Sequence, residues 1–209
     1  MTTDTYPGFK ACPTTVHDAS IWTGGTYMDL VNPNPAEISF AEIARALSRI
    51  TRFTGHTRHF YSVAEHCVNC VAVFGLHAAG DIYTDPYLRD IAQDVLMHDA
   101  AEAYLGDVSS PLKRVIGHVY KPLEDRMQAA IAARFNLGGT SPEWVKRCDL
   151  EMLAAEKLAL LPEAGEWPCL VGMKSPEIEI WGHPPEIAER DFIDTAVDLG
   201  LIPDEGVHF

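Results

Sequence analysis

Basic residues are scarce in this chain. Lys and Arg number 16 against 30 Asp and Glu in 209 residues, for a net charge of −14 and a pI of about 4.9. So acidic a surface excludes duplex DNA, RNA or an anionic membrane as the main partner. It leaves room for a small phosphorylated ligand, because a basic cluster or a metal ion can reverse the field inside one cleft. Long apolar runs are lacking too: none approaches the ~20 residues of a membrane span. The start, Met1-Thr2-Thr3-Asp4, has no basic stretch leading into an apolar one, so no signal peptide is expected. Cysteine is sparse at five residues, an odd count without the density of a disulfide scaffold. A reducing cytoplasm is the expected compartment. There is no internal repeat and no low-complexity segment.

What is present is a 47% hydrophobic composition, enough for one domain with a real core. Ile21-Trp22-Thr23 and Thr26–Val31 flank Gly24-Gly25 and predict a small ribbon over about 20–32, closed by Asn32-Pro33-Asn34-Pro35. Ser39 stands three residues before Glu42, the spacing of a capping box, so a helix is expected over 40–50. The following loop, Thr51–Phe60, carries Arg52, His56, Arg58 and His59, a local reversal of charge that reads either as an anion pocket or as a solvated loop. Tyr61–Leu76 reads as a buried helix with Val63, His66, Cys67, Cys70, Val71 and Phe74 on one face. Asp85-Pro86, Ser110-Pro111 and Ser141-Pro142 repeat one start signal. They predict a helix from 85 to Leu105, a helix or broken helix from 110 with a stronger one over Pro122–Phe135, and a helix from 142 to Leu161. Residues 163–184 read as loop with a short strand at Ile178–Trp181, and Pro185–Leu199 as a last, solvent-flanked helix. The fold class is all-α with a small N-terminal β-ribbon, and the whole of 1–209 is one domain with its core at about 36–161.

The stretch Asp94–Asp107 sets the chemical question. It places His98 and Asp99 side by side in a largely apolar helix, with Glu102 four residues and Asp107 nine residues after the histidine. Buried ionisable groups need compensation, and imidazole with carboxylate is a standard donor set for divalent metals. His66 and Asp149 offer one donor each from neighbouring helices. A single histidine on an apolar face is usually a hydrogen-bonded core residue, and Asp149 can pair with Lys146 or Arg147. Taken together these residues point to one ion held by two imidazoles and two carboxylates. Cys67 and Cys70 form a C-x-x-C in mid-helix without a second pair, and are assigned to packing rather than to metal or redox chemistry. His118 is the one candidate for a second metal. His17, His77, His183 and His208 are taken as surface residues, and the pairs Glu163/Glu166 and Glu186/Glu189 as solvated faces.

His66, then His98-Asp99, then Asp149 resemble the H…HD…D signature of HD-domain metal-dependent phosphohydrolases. Glu102 and Asp107 match the H-D-x-x-E-x-x-x-x-D run of the 5′-deoxynucleotidases and the phage-type deoxynucleoside triphosphate hydrolases of that family. Arg52-Phe53 resembles their Arg-aromatic pair, with Phe53 where the nucleotidases tend to have tryptophan. Asp107–Lys113 resembles their D-x-x-[TS]-P-x-K segment. The resemblance covers roughly residues 26–161. It implies an HD-domain helical bundle that hydrolyses a phosphate ester or triphosphate of a deoxynucleotide by a metal-activated water. It implies that His66, His98, Asp99 and Asp149 bind one divalent ion, with Mn, Co, Zn, Mg and Fe all open. Glu102 would be the base or hold the attacking water, and Asp107 would hold the sugar 3′-hydroxyl or the water network. Arg52, Ser110 and Lys113 would meet phosphate, and Phe53 would lie against base or sugar. A small-molecule nucleotide is the expected partner, with no nucleic-acid polymer, no membrane and a homo-oligomeric state. The alternatives are a di-iron oxygenase on the same fold, which needs more histidine ligands, and a non-catalytic nucleotide-binding sensor, which needs no base.

Overall fold

Side-chain caps set where the first three helices begin. A computed structural model describes residues 19–139 and 141–203; the irregular segment expected at the N-terminus lies almost wholly outside them, as do His17 and His208. Two short strands, β1 (Ser20–Trp22) and β2 (Tyr27–Asp29), pair antiparallel with Ile21 opposite Met28. The Gly-Gly turn between them uses the left-handed backbone of Gly24, at φ +110°, which side chains rarely adopt. Seven helices follow among the described residues: α1 (Phe40–Arg49), α2 (Val63–His77), α3 (Pro86–Leu96), α4 (Glu102–Leu105), α5 (Ser110–Phe135), α6 (Pro142–Leu160) and α7 (Pro185–Asp198). The Ser39 hydroxyl accepts from the Glu42 N–H at 3.5 Å, Ser62 accepts from the Glu65 N–H at 3.1 Å, and Asp85 caps two amides before Pro86. Each such cap contributes on the order of 1 kcal/mol. Among the described residues the molecule is mostly helical with one two-stranded sheet, and no helix there is long and apolar enough to cross a membrane.

The central element is α2, which packs against α1, α3, α6 and α7. Its Val63, Ala64, Cys67, Cys70, Val71, Val73 and Phe74 are buried, which explains why almost every face of it is apolar. The C-terminal helix is not solvent-flanked as expected. Ala188, Phe192, Ile193 and Ala196 bury one face of α7 against α1 and α2, and the Phe192 ring stacks on Phe40 at 5.4 Å. Glu189 is correspondingly buried and takes an ion pair from Arg49 at 2.6 Å, so it is no solvated acid; Glu186 does stay exposed.

Three further expectations are corrected. The helix from 85 does not run to Leu105. It stops at Leu96, a turn spans 97–101, and α4 then restarts. Across that turn the amides of Ala100, Glu102 and Ala103 bond to carbonyls three residues back, the tighter 3₁₀ pattern. Conversely, α5 is one continuous helix through Pro122. A proline inside a helix removes the bond to the carbonyl four residues earlier; here that is His118, on an exposed stretch where water can take its place. Finally, Ile178–Trp181 is not a strand. The backbone N–H groups of Trp181, Gly182 and His183 donate to the buried Glu65 carboxylate at 3.1, 3.0 and 2.7 Å. This pins the loop to the start of α2 in place of a sheet ladder. Gly182 has φ +66° and lies so near His59 and the Phe60 carbonyl that no side chain fits.

Candidate metal centre

The turn at 97–101 aims His98 and Asp99 in one direction, which adjacent residues on a regular helix, about 100° apart, cannot do. His98 Nδ1 lies 2.8 Å from the Val95 carbonyl, which only accepts, so Nδ1 carries the proton. His66 Nδ1 lies 2.5 Å from the Glu156 carboxylate, which assigns the same tautomer. Both Nε2 lone pairs therefore face each other, 3.3 Å apart. Asp99 Oδ2 stands 3.3 Å from His98 Nε2 and 3.7 Å from His66 Nε2, and Asp149 Oδ1 stands 3.7 Å from His66 Nε2. His66 Nε2, His98 Nε2 and Asp99 Oδ2, from α2 and the 97–101 turn, thus converge, and Asp149 Oδ1 on α6 approaches them from the His66 side.

Such a set favours added positive charge, as a proton or as a metal ion. Burial opposes charge on His98, yet the Asp99 carboxylate outweighs it and holds the imidazole pKa well above its ordinary value. Burial likewise pushes Asp149 and Asp99 up, and the two imidazoles outweigh it in both cases, with Arg52 adding to the effect. The spacing also suits a metal. Two ligands at ~2.0–2.1 Å from a tetrahedral ion sit about 3.3 Å apart. The sets His66/Cys70/His98 and Cys67/His98/Asp99 each keep their donor atoms within 4.8 Å, close enough to hold a metal ion, although each takes one cysteine and neither includes Asp149.

Arg52, buried at 8% exposure, donates to Asp99 Oδ2 at 3.3 Å and to Glu156 Oε2 at 3.2 Å, while its Nε has no partner. Burial disfavours its charge, but Glu156 and Asp99 outweigh that and raise its pKa well above the usual value. On the other side, Glu102 is 4% exposed. Its Oε1 lies 3.4 Å from Lys113 Nζ, and its Oε2 is buried without a partner. Burial first, then the Asp99 and Asp107 carboxylates, push its pKa up to about 9. Burial also raises Asp107, with Arg52 pulling the other way.

No family model matches the chain. It is 37% identical over 153 residues to the uncharacterised protein YfdR of Escherichia coli K12, an alignment covering 73% of this chain and 77% of that one. It is 33% identical over 169 residues to the uncharacterised protein RCAP_rcc00048 of Rhodobacter capsulatus, covering 79% and 80%. The chain belongs to the YfdR family.

The structure brings His66, His98, Asp99, Asp149 and Arg52 into one contact network, and the Glu102–Lys113 pair joins it electrostatically through Asp99. Asp107 joins it electrostatically. Phe53 stands at its edge, with the Arg52 guanidinium 5.5 Å from its ring centroid and the Trp167 ring 6.1 Å away. Phe53 and Thr54 both have φ +55°, the left-handed region that disfavours ordinary side chains. Strain of this kind marks positions that the surroundings hold deliberately. Ser110 is exposed on the first turn of α5, one turn before Lys113, and His118 is exposed farther along, away from the cluster. Cys67 and Cys70, assigned to packing alone, sit against the imidazoles. Cys70 Sγ is 3.5 and 3.9 Å from the two ring nitrogens of His66, a position on the ring's flank rather than beyond Nε2. Burial pushes both thiols up, so they stay neutral. Sequence reasoning missed Glu156 altogether. Its signal was available: it lies seven residues, two helical turns, after Asp149.

Proposed function

We propose that the chain is an HD-domain phosphohydrolase that cleaves a phosphate ester or triphosphate from a deoxynucleotide. The observation that supports this best is the convergence of His66, His98, Asp99 and Asp149 acceptors beside one buried carboxylate, Glu102, whose second oxygen is unpartnered. Those four residues would hold one divalent ion. The ion supplies Lewis acidity and lowers the pKa of a bound water from 15.7 towards ~7.

The protein's own groups do the rest. Once deprotonated, Glu102 accepts the proton of the attacking water. Lys113 balances the charge that Glu102 gains and attracts phosphate oxygens, with Ser110 on the same face of α5. Arg52 holds a fixed positive charge at Asp99, and its planar guanidinium suits phosphate. Asp107 accepts from a sugar hydroxyl or from the water network. Phe53, with Trp167 behind it, lies against base or sugar. The nucleotide is the partner, with a homo-oligomer as the working assembly.

Phosphate or triphosphate release from deoxynucleoside mono- and triphosphates, assayed with Mn²⁺, Co²⁺ or Mg²⁺, tests the reading. Turnover of one class is expected. If neither class turns over with any ion, and His98→Ala leaves ion binding unchanged, the reading fails. Elemental analysis returning one metal per chain counts against the di-iron alternative.

A further inference from the structure

Glu156 is the most completely buried carboxylate of the region, at 0% exposure, and both of its oxygens are used. Oε1 accepts from His66 Nδ1 at 2.5 Å, and Oε2 accepts from Arg52 at 3.2 Å. It lies on the α6 face that carries Asp149, two turns nearer the helix C-terminus. From there it reaches behind His66, on the side away from Nε2. With neutral imidazoles, Arg52, Glu156, Asp99 and Asp149 carry a net charge of minus two, which one divalent ion neutralises.

We propose that Glu156 is a positioning residue for the ion. It fixes the His66 tautomer and ring orientation, and it cancels the Arg52 guanidinium so that Arg52 can sit beside the site without repelling the metal. This rests on the metal-site reading above and adds the group that makes His66 and Arg52 compatible neighbours. Two separate consequences follow. A carboxylate bonded to the far nitrogen of a liganding imidazole raises its basicity and holds its aim. Losing the carboxylate charge also leaves Arg52, Asp99 and Asp149 with a net charge of minus one, so a bound divalent ion leaves one positive charge uncompensated in a low-dielectric setting where charges interact strongly.

The test is calorimetric titration of chelator-stripped protein with Co²⁺ or Mn²⁺. Glu156→Gln keeps an oxygen acceptor and similar volume while removing the charge. It should weaken ion binding about 10–100-fold, the usual effect of removing such a supporting group, and shift the visible spectrum of the Co²⁺ form. Adding Arg52→Met to Glu156→Gln removes the stranded guanidinium and should recover part of that loss, which a merely structural role for Glu156 would not produce. A Glu156→Gln affinity within about threefold of wild type, with the metal-free fold intact by circular dichroism, overturns the proposal. If that variant does not fold, the wild type still decides. NMR should show a strongly downfield His66 Nδ1 proton in the metal-free chain, and an Nε2–H tautomer there overturns it. A wild type that binds no divalent ion would instead refute the metal-site reading itself.

Discussion

Glu156 and Glu102 are both buried carboxylates within the same network, and the protein treats them in opposite ways. Glu156, on the α2–α6 floor, is held by His66 and Arg52. Burial pushes its pKa up, but those two partners outweigh it and the group sits below its ordinary value. Glu102, on the α4–α5 rim, has only a long contact to Lys113, faces the charges of Asp99 and Asp107, and is pushed up to about 9. Equal burial therefore decides nothing; the count of satisfying donors does. The floor is built to stay as it is. The rim holds a group whose proton is available for exchange, which is how two carboxylates in one site come to serve as scaffold and as acid–base group.

The contrast breaks most severely if the floor is removed. His98→Ala deletes one of the two facing Nε2 atoms, and ion binding should fall below detection in calorimetry, with turnover lost alongside it. Glu102→Gln attacks the rim alone. It should reduce kcat by about 10²–10⁴-fold, the usual value of a general base, while the ion affinity stays near that of wild type. If Glu102→Gln abolishes ion binding as His98→Ala does, Glu102 belongs to the floor and the distinction collapses.

The same variant carries a stability signature. Glu102 has a folded-state pKa of about 9 against an ordinary 4.5, so the folded metal-free chain holds this proton more tightly than the unfolded one. Its contribution is fully present below about 4.5 and is lost as pH rises towards 9. Glutamine at this position keeps the neutral form at every pH. Metal-free Glu102→Gln should therefore gain Tm over wild type at pH 8 and show little gain at pH 4.5. Equal Tm differences at both pH values would place Glu102 in an ordinary carboxylate environment.

How much of this was legible in the residues depended on range. Ser39 and Asp85-Pro86 marked their helix starts because a cap is a contact between near neighbours, and Ser141-Pro142 marked its start through the proline alone, since the Ser141 side chain makes no capping bond. The 97–101 turn was not legible, since apolar residues continue through Val95, Leu96, Met97, Ala100 and Ala101 and hide the switch from four-residue to three-residue bonding. Yet that turn is what lets His98 and Asp99 point the same way. Glu65 read as an ordinary first-turn acid because its three amide partners lie 116 to 118 residues away. The buried face of α7 was visible as Ala188, Phe192 and Ala196 at four-residue spacing, and was passed over because acidic residues surround it. His66, His98, Asp99 and Asp149 were grouped by donor type on apolar helix faces and then by a resemblance, as side chains 83 positions apart carry no local sign that they meet.

Phe53 sharpens the rim from another side. Phe53→Gly removes the ring and also relieves the left-handed backbone at φ +55°. Glycine adopts that region at no steric penalty, so Tm should hold or rise. If the ring serves base or sugar, KM should increase about tenfold with kcat nearly unchanged, the pattern of lost uniform binding. An unchanged KM would make the strained turn a device for burying Arg52 only.

The smallest expected effect tests how the rim is tuned. Lys113 Nζ lies 2.8 Å from Glu124 and 3.4 Å from Glu102, and its charge lowers the Glu102 pKa against burial and the neighbouring carboxylates. Lys113→Met removes that opposing charge, so the Glu102 pKa should move higher still. Because the base must be deprotonated to act, the acidic limb of the kcat–pH profile should shift to higher pH by less than about one unit. At pH 7 that appears as a loss of about three- to tenfold, shrinking as pH rises. Lost phosphate attraction would instead raise KM at every pH. A uniform KM increase with an unmoved acidic limb would leave Lys113 as a phosphate contact, and Glu102 tuned by burial and its acidic neighbours alone.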